Sequence, residues 1–169
     1  FTGCGLDFSV LAEDLKRGAI APDLWGHRHS QIPNRRNLED YREALTALIS
    51  EPVVLVGYSM GGRIALDLAI HAPTLIKGLV LIGTTPGIVD PHERKKRLDS
   101  DHALADRIAG MEATQFLEEW RARPMIANQE NAPRNLKKIM DDARTAHRSL
   151  GLANALRIFG QGASPNLWG

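Results

Sequence analysis

Ser59 lies in the pentapeptide GYSMG at residues 57–61, which follows a strand-like segment and precedes a helix-like one. Residues 52–56 are apolar and largely β-branched, as in a buried strand, and residues 62–70 form an apolar helical pattern that ends before Pro73. A strand, G-x-S-x-G and a helix in this order form a nucleophile elbow, a tight turn in which small residues flank the serine. The turn lifts the hydroxyl clear of the sheet. We therefore predict that Ser59 is a catalytic nucleophile, the alternative being an idle serine in a glycine-rich turn.

Arg63 comes four residues after Ser59, on the helix that follows the elbow. Residues at this spacing lie one turn apart on nearly the same helix face, so both side chains project toward one region. A guanidinium can bind a carboxylate through two parallel hydrogen bonds, and the N-terminus of a helix attracts anions as well. The spacing predicts an anionic substrate bound beside the serine.

A serine nucleophile requires a histidine to accept its proton and a carboxylate to orient that histidine. With a nucleophile elbow, they follow the serine in the order Ser, Asp, His. The later histidines all lie in or beside predicted helices, not on loops after core strands: His71, His92, His102 and His147. Asp23, His27 and His29 precede the serine. We therefore expect the triad's acid and base beyond Gly169, after two further strands, and expect this segment alone to be nearly inactive.

Charge and cysteine content narrow the choice of partners and compartment. The 169 residues carry 21 Lys and Arg against 20 Asp and Glu, a formal charge of +1 that gives no indication of a nucleic-acid or membrane partner. No stretch approaches the ~20 apolar residues of a transmembrane helix. Cys4 is the only cysteine, so a reducing cytoplasm is expected. No metal-ligand spacing occurs, and no metal is expected. The sequence does not indicate an oligomeric state.

Alternating strand and helix patterns predict an α/β fold with a mostly parallel sheet. The predicted elements before residue 88 are helices at 6–15, 38–49 and 62–70 and strands at 18–23, 52–56 and 78–83. From residue 91 the patterns are helical only, at 91–110, 113–121, 131–143 and 151–159. We divide the chain into a partial core, residues 1–87, and a helical cap, residues 88–169, of the kind that covers a pocket. Because the chain starts at Phe1 without a methionine and ends without a terminating element, we expect the N- and C-terminal parts of the core to be missing.

The elbow resembles that of the α/β-hydrolase superfamily, and so does the turn APDLWGHRHS at residues 21–30. The usual form of that turn is D-L-P-G-H-G-x-S, from which Trp25 and Arg28 depart. An arginine in place of glycine is unfavourable if the position needs a positive φ, so we expect a local difference there. The resemblance implies an oxyanion hole made by the backbone N–H of Met60 and one from the loop after the first long strand. Phe1 matches the donor residue of that loop, the alternative being a frayed terminus.

Four segments resemble the MenH family, the 2-succinyl-6-hydroxy-2,4-cyclohexadiene-1-carboxylate synthases of menaquinone biosynthesis. They are residues 57–63, residues 93–101, residues 116–124, and residues 151–157 together with 160–168. The resemblance implies a lyase that eliminates pyruvate from 2-succinyl-5-enolpyruvyl-6-hydroxy-3-cyclohexene-1-carboxylate, a small substrate with three carboxylates. The histidine-activated serine would remove the α-proton, and neither a metal nor an organic cofactor would be needed.

The same resemblance assigns substrate contacts. Arg97 would bind a substrate carboxylate, Arg144 would be a third arginine beside Arg63, and Trp120 would line the pocket. Tyr58, which flanks the nucleophile, would line the pocket or merely pack. Plainer roles stay open for two of these: Arg97 as one charge of a solvated helix face, and Trp120 as a core residue of the cap.

Two other functions are compatible with the sequence. One is an ordinary α/β-hydrolase that cleaves an ester or a C–C bond, and the other is a non-catalytic module that captures a small ligand. Pyruvate release separates the lyase from the hydrolase, and so does Arg63→Ala, which should cripple only the turnover of a tricarboxylate. Ligand binding that survives Ser59→Ala, without turnover by the complete wild-type protein, would indicate the third. Fold analogy alone does not fix the reaction.

Overall fold

The computed structural model describes residues 1–16, 18–32 and 37–169. The chain divides into two compact units. The first comprises Phe1, Pro33–Leu104 and Leu156–Gly169, and the second comprises Thr2–Ile32 and Ala105–Ala155. These units are defined by compactness, whereas the predicted division into a core at residues 1–87 and a cap at residues 88–169 concerns architecture. The predicted division stays a prediction.

The described residues form two strands and eight α-helices. The strands are β1 (Val53–Tyr58) and β2 (Ile76–Ile82), and the helices are α1 (Ser9–Leu15), α2 (Leu38–Thr46), α3 (Met60–His71), α4 (Pro91–Ala109), α5 (Ala113–Arg121), α6 (Pro124–Ala127), α7 (Arg134–Arg144) and α8 (Ser149–Phe159). Short 3₁₀ turns occur at Gly5–Phe8, Pro73–Leu75 and Asn128–Asn131.

The first unit is built on the parallel pair β1 and β2, joined through α3. The register runs from Val54 opposite Gly78 to Tyr58 opposite Ile82. Parallel strands need a crossover connection, and α3 supplies it by packing against both strands. The predicted parallel sheet and the strand–elbow–helix order are confirmed. The buried apolar side chains of this unit include Tyr41, Met60, Ile64, Ala65, Leu68, Leu156 and Phe159.

The second unit is helical, and several of its buried apolar side chains come from α5, α7 and α8. Phe116, Leu117, Ala143, Leu152 and Ala153 are buried there. No strand occurs between residues 91 and 169, all of which the structure describes, as predicted. Helix α5 has the predicted bounds, whereas α7 begins at Arg134 because Pro133 precedes it as an extended N-cap residue.

Two predicted elements differ in the structure. The strand predicted at residues 18–23 is wrong, because this segment is irregular and Ile20 is 75% exposed instead of packed in a sheet. A strand needs a neighbouring ladder, and here the carboxylate of Asp23 instead accepts a hydrogen bond from the N–H of Gly5 at 2.9 Å. The helix predicted at 6–15 is a 3₁₀ turn followed by α1.

The φ of Arg28 is positive, at 48°, at the position where the usual form of the turn has glycine. Its guanidinium pairs with the carboxylate of Asp23 at 3.0 Å. Because the left-handed region is unfavourable for any residue with a Cβ atom, the local contacts of Arg28 offset a backbone strain that glycine would avoid.

Candidate active site

The backbone of Ser59 has the conformation of a nucleophile elbow, with φ 51° and ψ −113°. Its N–H donates to the carbonyl of Ile82 on β2 at 2.9 Å, and its own carbonyl accepts from the Thr84 hydroxyl at 2.8 Å. These bonds fix an unfavourable backbone conformation between β1 and α3. Ser59 is half-buried, so its hydroxyl is held at a partly accessible turn.

The elbow depends on close approach at two glycines. A Cβ atom on Gly57 would lie 2.6 Å from the Cα of Gly62, and one on Gly62 would lie 2.7 Å from the Thr84 side chain. No atom lies within 4 Å of a Cβ atom built on Gly61. The prediction that small residues must flank the serine therefore holds at Gly57, whereas the second crowded position is Gly62 and not Gly61.

The candidate oxyanion donors belong to the first unit. Met60 is the first residue of α3 and is 4% exposed. The first N–H groups of a helix have no partner within it, so they are suited to an anion. Phe1 is half-buried, and Tyr58 at the end of β1 is 51% exposed. The roles of Met60, Phe1 and Tyr58 stay predictions.

Arg63 is anchored by the end of α8 and the turn after it. Its Nε donates to the hydroxyl of Ser164 at 3.2 Å, and its Nη2 donates to the carbonyl of Phe159 at 3.0 Å. Burial, aided by the nearby Arg97, lowers the pKa of Arg63 to about 10, so the group stays charged at neutral pH. No local pattern indicates these partners, because they lie about a hundred residues further along the chain.

Arg97 meets the same turn from α4. Its Nε donates to the carboxylate of Asp101 at 2.8 Å, and its Nη1 donates to the side-chain oxygen of Gln161. The side chain of Arg97 is 44% exposed, whereas that of Asp101 is 5% exposed. Sequence reasoning missed Asp101, although its spacing of four residues from Arg97 is the one that favours a helical ion pair. The structure thus brings Arg63 and Arg97 to one segment, Phe159–Ser164.

Trp120 and Arg144 belong to the second unit. The ring of Trp120 lies 5.7 Å from that of Phe116, with the guanidinium carbon of Arg123 at 4.2 Å from its centroid. Arg144 is 6% exposed and donates to Gln129 at 2.7 Å. It lines a small recess with Arg121, Ile126, Gln129, Lys137, Met140 and Asp141. This recess carries three cationic side chains against the single carboxylate of Asp141.

The histidines after Ser59 lie in or beside helices, as expected from the sequence. His71 ends α3, with Nδ1 at 2.8 Å from the carbonyl of Asp67, and His92 and His102 are exposed on α4. His147 lies in the second unit and contacts backbone groups. Within the described ranges, no hydrogen bond joins the Ser59 hydroxyl to a histidine.

Neither a metal centre nor a membrane span is found in the residues that the structure describes. No group of three His, Cys, Asp or Glu side chains there is arranged to hold a metal ion. The helices formed by these described residues are too short or too polar to cross a bilayer.

The sequence model of the alpha/beta hydrolase fold matches residues 1–147, most of the chain. This chain belongs to the α/β-hydrolase fold family. The fold class inferred from the elbow and from the alternation of strands and helices is therefore confirmed. The role of Ser59 as the nucleophile stays a prediction.

The chain is also similar to MenH proteins. It is 33% identical over 178 residues to a putative 2-succinyl-6-hydroxy-2,4-cyclohexadiene-1-carboxylate synthase from Bacillus subtilis, covering 99% of this chain and 64% of that relative. The structure of MenH from S. aureus matches with a TM-score of 0.89 and 27% identity, over 99% of this chain and 66% of that one. The resemblance inferred from the sequence is confirmed, and the chain spans just under two thirds of these relatives.

An esterase has a related structure as well. The thermophilic, malate-bound esterase from Thermogutta terrifontis matches with a TM-score of 0.75 and 25% identity, over 98% of this chain and 62% of that one. A similar fold thus occurs in a protein that is named as an esterase.

Proposed function

We propose that the protein containing this chain eliminates pyruvate from 2-succinyl-5-enolpyruvyl-6-hydroxy-3-cyclohexene-1-carboxylate, in menaquinone or phylloquinone biosynthesis. The product would be 2-succinyl-6-hydroxy-2,4-cyclohexadiene-1-carboxylate. The similarity to MenH proteins supports this reaction over the many others that the fold family performs.

The observation that carries the proposal is the pair of arginines in the unit that contains Ser59. Arg63 lies in the first turn of α3, the helix that Ser59 precedes. Arg63 and Arg97 both donate hydrogen bonds to the segment Phe159–Ser164. Two cations near one serine suit a substrate with several carboxylates, because each can form charge-assisted hydrogen bonds. Arg144, in its cationic recess, is the proposed ligand of a further carboxylate.

The chemistry assigned to Ser59 is proton transfer from carbon. A histidine outside the described residues would take the hydroxyl proton, and the serine oxygen would take the substrate's α-proton. The electron pair of the C–H bond forms a new double bond, conjugation carries electrons to the carbon that bears the enolpyruvyl oxygen, and that C–O bond breaks. The leaving group takes up a proton and departs as pyruvate.

The remaining predicted residues support this transition state. The N–H groups of Met60 and Phe1 would stabilise the negative charge that develops on a substrate oxygen, and one such donor typically contributes about 3 kcal/mol. Trp120 and Tyr58 would line the pocket. No cofactor is required, and the single cysteine supports a cytoplasmic location.

Ester hydrolysis is the second candidate. It is favoured by the similarity to the esterase, whose elbow chemistry would need only the serine as nucleophile and the same oxyanion donors. A hydrolase acting on a neutral ester would have no use for Arg63 as a ligand.

The deciding experiment measures pyruvate release from the cyclohexene tricarboxylate by the protein containing this chain, in parallel with hydrolysis of a neutral p-nitrophenyl ester. We expect pyruvate release that is lost in Ser59→Ala and lowered at least tenfold in kcat/KM by Arg63→Met. Lys96→Met removes an exposed cation beside Arg97 and should leave the rate unchanged. Ester hydrolysis without pyruvate release, insensitive to Arg63→Met, would instead establish the hydrolase.

A further inference from the structure

Asp101 is a buried carboxylate with two structural partners. One oxygen accepts from Nε of Arg97 at 2.8 Å, and the other accepts from the backbone N–H of Gly162 at 3.0 Å. The residue is 4% exposed. A buried carboxylate is stable only when its charge is paired and its oxygens accept hydrogen bonds, and here each oxygen has a donor of a different kind.

The turn that Asp101 holds is fitted closely to α4. A Cβ atom on Gly162 would lie 2.3 Å from the backbone nitrogen of Leu98, and one on Gly160 would lie 2.8 Å from a carboxylate oxygen of Asp101. The two glycines therefore let the backbone of the turn approach the helix at the position of the carboxylate. The contact fixes the turn relative to α4 within about the width of a methyl group.

The same turn fixes Arg63. Ser164 donates from its hydroxyl to the carbonyl of Gly160 at 2.9 Å, and its hydroxyl oxygen accepts from Nε of Arg63 at 3.2 Å. Asp101 and Arg63 thus contact the same turn, Asp101 at the N–H of Gly162 and Arg63 at the hydroxyl of Ser164. Asp101 holds one arginine directly and the other through the turn.

We propose that Asp101 is a positioning residue that orients both Arg63 and Arg97 toward the carboxylates of the substrate. The proposal rests on the proposed function of these two arginines. Bidentate binding of a carboxylate requires the plane of each guanidinium to be set, and the bond from Nε of Arg97 to Asp101 sets the plane of Arg97.

Charge balance supports the same role. Burial lowers the pKa of Arg63, repulsion by the Arg97 cation lowers it further, and the Asp101 carboxylate opposes both effects. Without the carboxylate, the repulsion between the two guanidinium groups would no longer be offset by Asp101. We expect them to separate or to bind a solvent anion, which would compete with the substrate.

The test replaces Asp101 by asparagine and uses Asp99→Asn as the matched control. Asp99 lies on the same helix and is paired with Lys95 at 2.7 Å, but its side chain is 60% exposed. Both changes remove one negative charge from α4. We expect Asp101→Asn to raise KM for the tricarboxylate at least tenfold and to change kcat by less than about threefold, since substrate carboxylates keep their charge throughout the reaction. Asp99→Asn should change neither value.

A binding measurement makes the test independent of turnover. In a Ser59→Ala background, calorimetry should show Asp101→Asn weakening substrate binding at least tenfold, while Asp99→Asn has no effect. Gly162→Ala, which displaces the turn without a change of charge, should weaken binding as well. Hydrolysis of a neutral ester, where detectable, should be unaffected by Asp101→Asn, which a general loss of structure would not spare.

The outcomes separate this inference from the proposed function. Pyruvate release by the wild type with equal KM values for Asp101→Asn and Asp99→Asn would overturn the positioning role alone. Equal losses of kcat, substrate binding and thermal stability in Asp101→Asn would also overturn it, because they indicate a purely structural residue. Absence of pyruvate release despite substrate binding to the Ser59→Ala protein would overturn the proposed reaction, and the calorimetric comparison would still decide the role of Asp101.

Discussion

The imidazole of His147 holds the backbone of Arg28, whose N–H donates to Nδ1 at 3.0 Å. Because Nδ1 accepts, Nε2 carries the proton, and it donates to the carbonyl of Thr2 at 3.0 Å. Both backbone partners have positive φ, 48° at Arg28 and 68° at Thr2. A single neutral ring therefore links two strained loop residues within the second unit.

This arrangement predicts a loss of stability in mild acid. Burial lowers the pKa of His147, and burial together with His147 lowers the pKa of His27 to about 3. A base with a depressed pKa binds fewer protons folded than unfolded, so its stability contribution is complete above the unfolded value of 6.5 and is lost as pH falls toward the folded value. Each histidine that stays neutral should lower the free energy of unfolding by about 1.4 kcal/mol per pH unit below that point.

Urea denaturation of the protein containing this chain at pH 7.5, 6.5 and 5.5 would measure this dependence. A glutamine at position 147 can accept from Arg28 and donate to Thr2 without titrating, so His147→Gln should flatten the fall below pH 6.5. His102→Gln, at an exposed position of α4, should leave the fall unchanged. An identical pH dependence in the wild type and His147→Gln would contradict the assignment.

Two glycines of the elbow should respond differently to the same substitution. Gly57→Ala places a methyl group 2.6 Å from the backbone of Gly62 and should lower the free energy of unfolding by about 1–3 kcal/mol, as overpacking does. Gly61→Ala meets nothing within 4 Å and should change stability by less than about 0.5 kcal/mol. Chemical denaturation of the two variants tests the pair, and equal losses would argue against the geometry.

The buried carboxylate of Asp67 depends on Arg42. The pair lies 2.9 Å apart, with the Asp67 side chain 2% exposed. Arg42→Met would leave a buried charge with its main cation removed and should destabilise the fold by about 3–5 kcal/mol. Lys95→Met breaks an exposed pair with Asp99 and should lower stability by less than about 1 kcal/mol. Thermal and urea denaturation would compare them, and a similar effect of both changes would refute this view.

Ser59 should stabilise the fold less than glycine would. Its φ of 51° and ψ of −113° are strained for any residue with a Cβ atom, by about 1–3 kcal/mol. Ser59→Ala keeps that strain, whereas Ser59→Gly removes it. The greater freedom of glycine in the unfolded chain cancels about 0.5–1 kcal/mol of the stability gained. We expect Ser59→Gly to be the more stable of the two inactive variants in denaturant titrations. A less stable glycine variant would show that the elbow is not strained.

The local parts of the fold followed from the sequence. The run before Ser59 and the apolar pattern after it are contiguous, so β1, the elbow and α3 could be predicted from neighbouring residues alone. The strand predicted at residues 18–23 was wrong because a short apolar stretch does not indicate whether a partner strand lies beside it. Its exposed Ile20 belongs to an irregular segment instead.

The site was predictable only in part, for a similar reason. Arg63 and Arg97 could be singled out by helical spacing and by resemblance, but their common contact with the turn after α8 depends on residues distant in sequence. The spacing of four residues between Arg97 and Asp101 indicates a helical ion pair. The burial of Asp101, which distinguishes this pair from an exposed one, could not be predicted from that spacing. Tertiary packing decides which of many such pairs matter.

The strained backbone of Ser59 also has an evolutionary consequence. If selection for the proposed reaction ceased, replacement of Ser59 by glycine would increase stability, since this one substitution removes both the hydroxyl and the strain. We therefore expect serine to persist there under selection for the proposed reaction. Among sequences that share this elbow, glycine at position 59 would then indicate that the reaction has been lost.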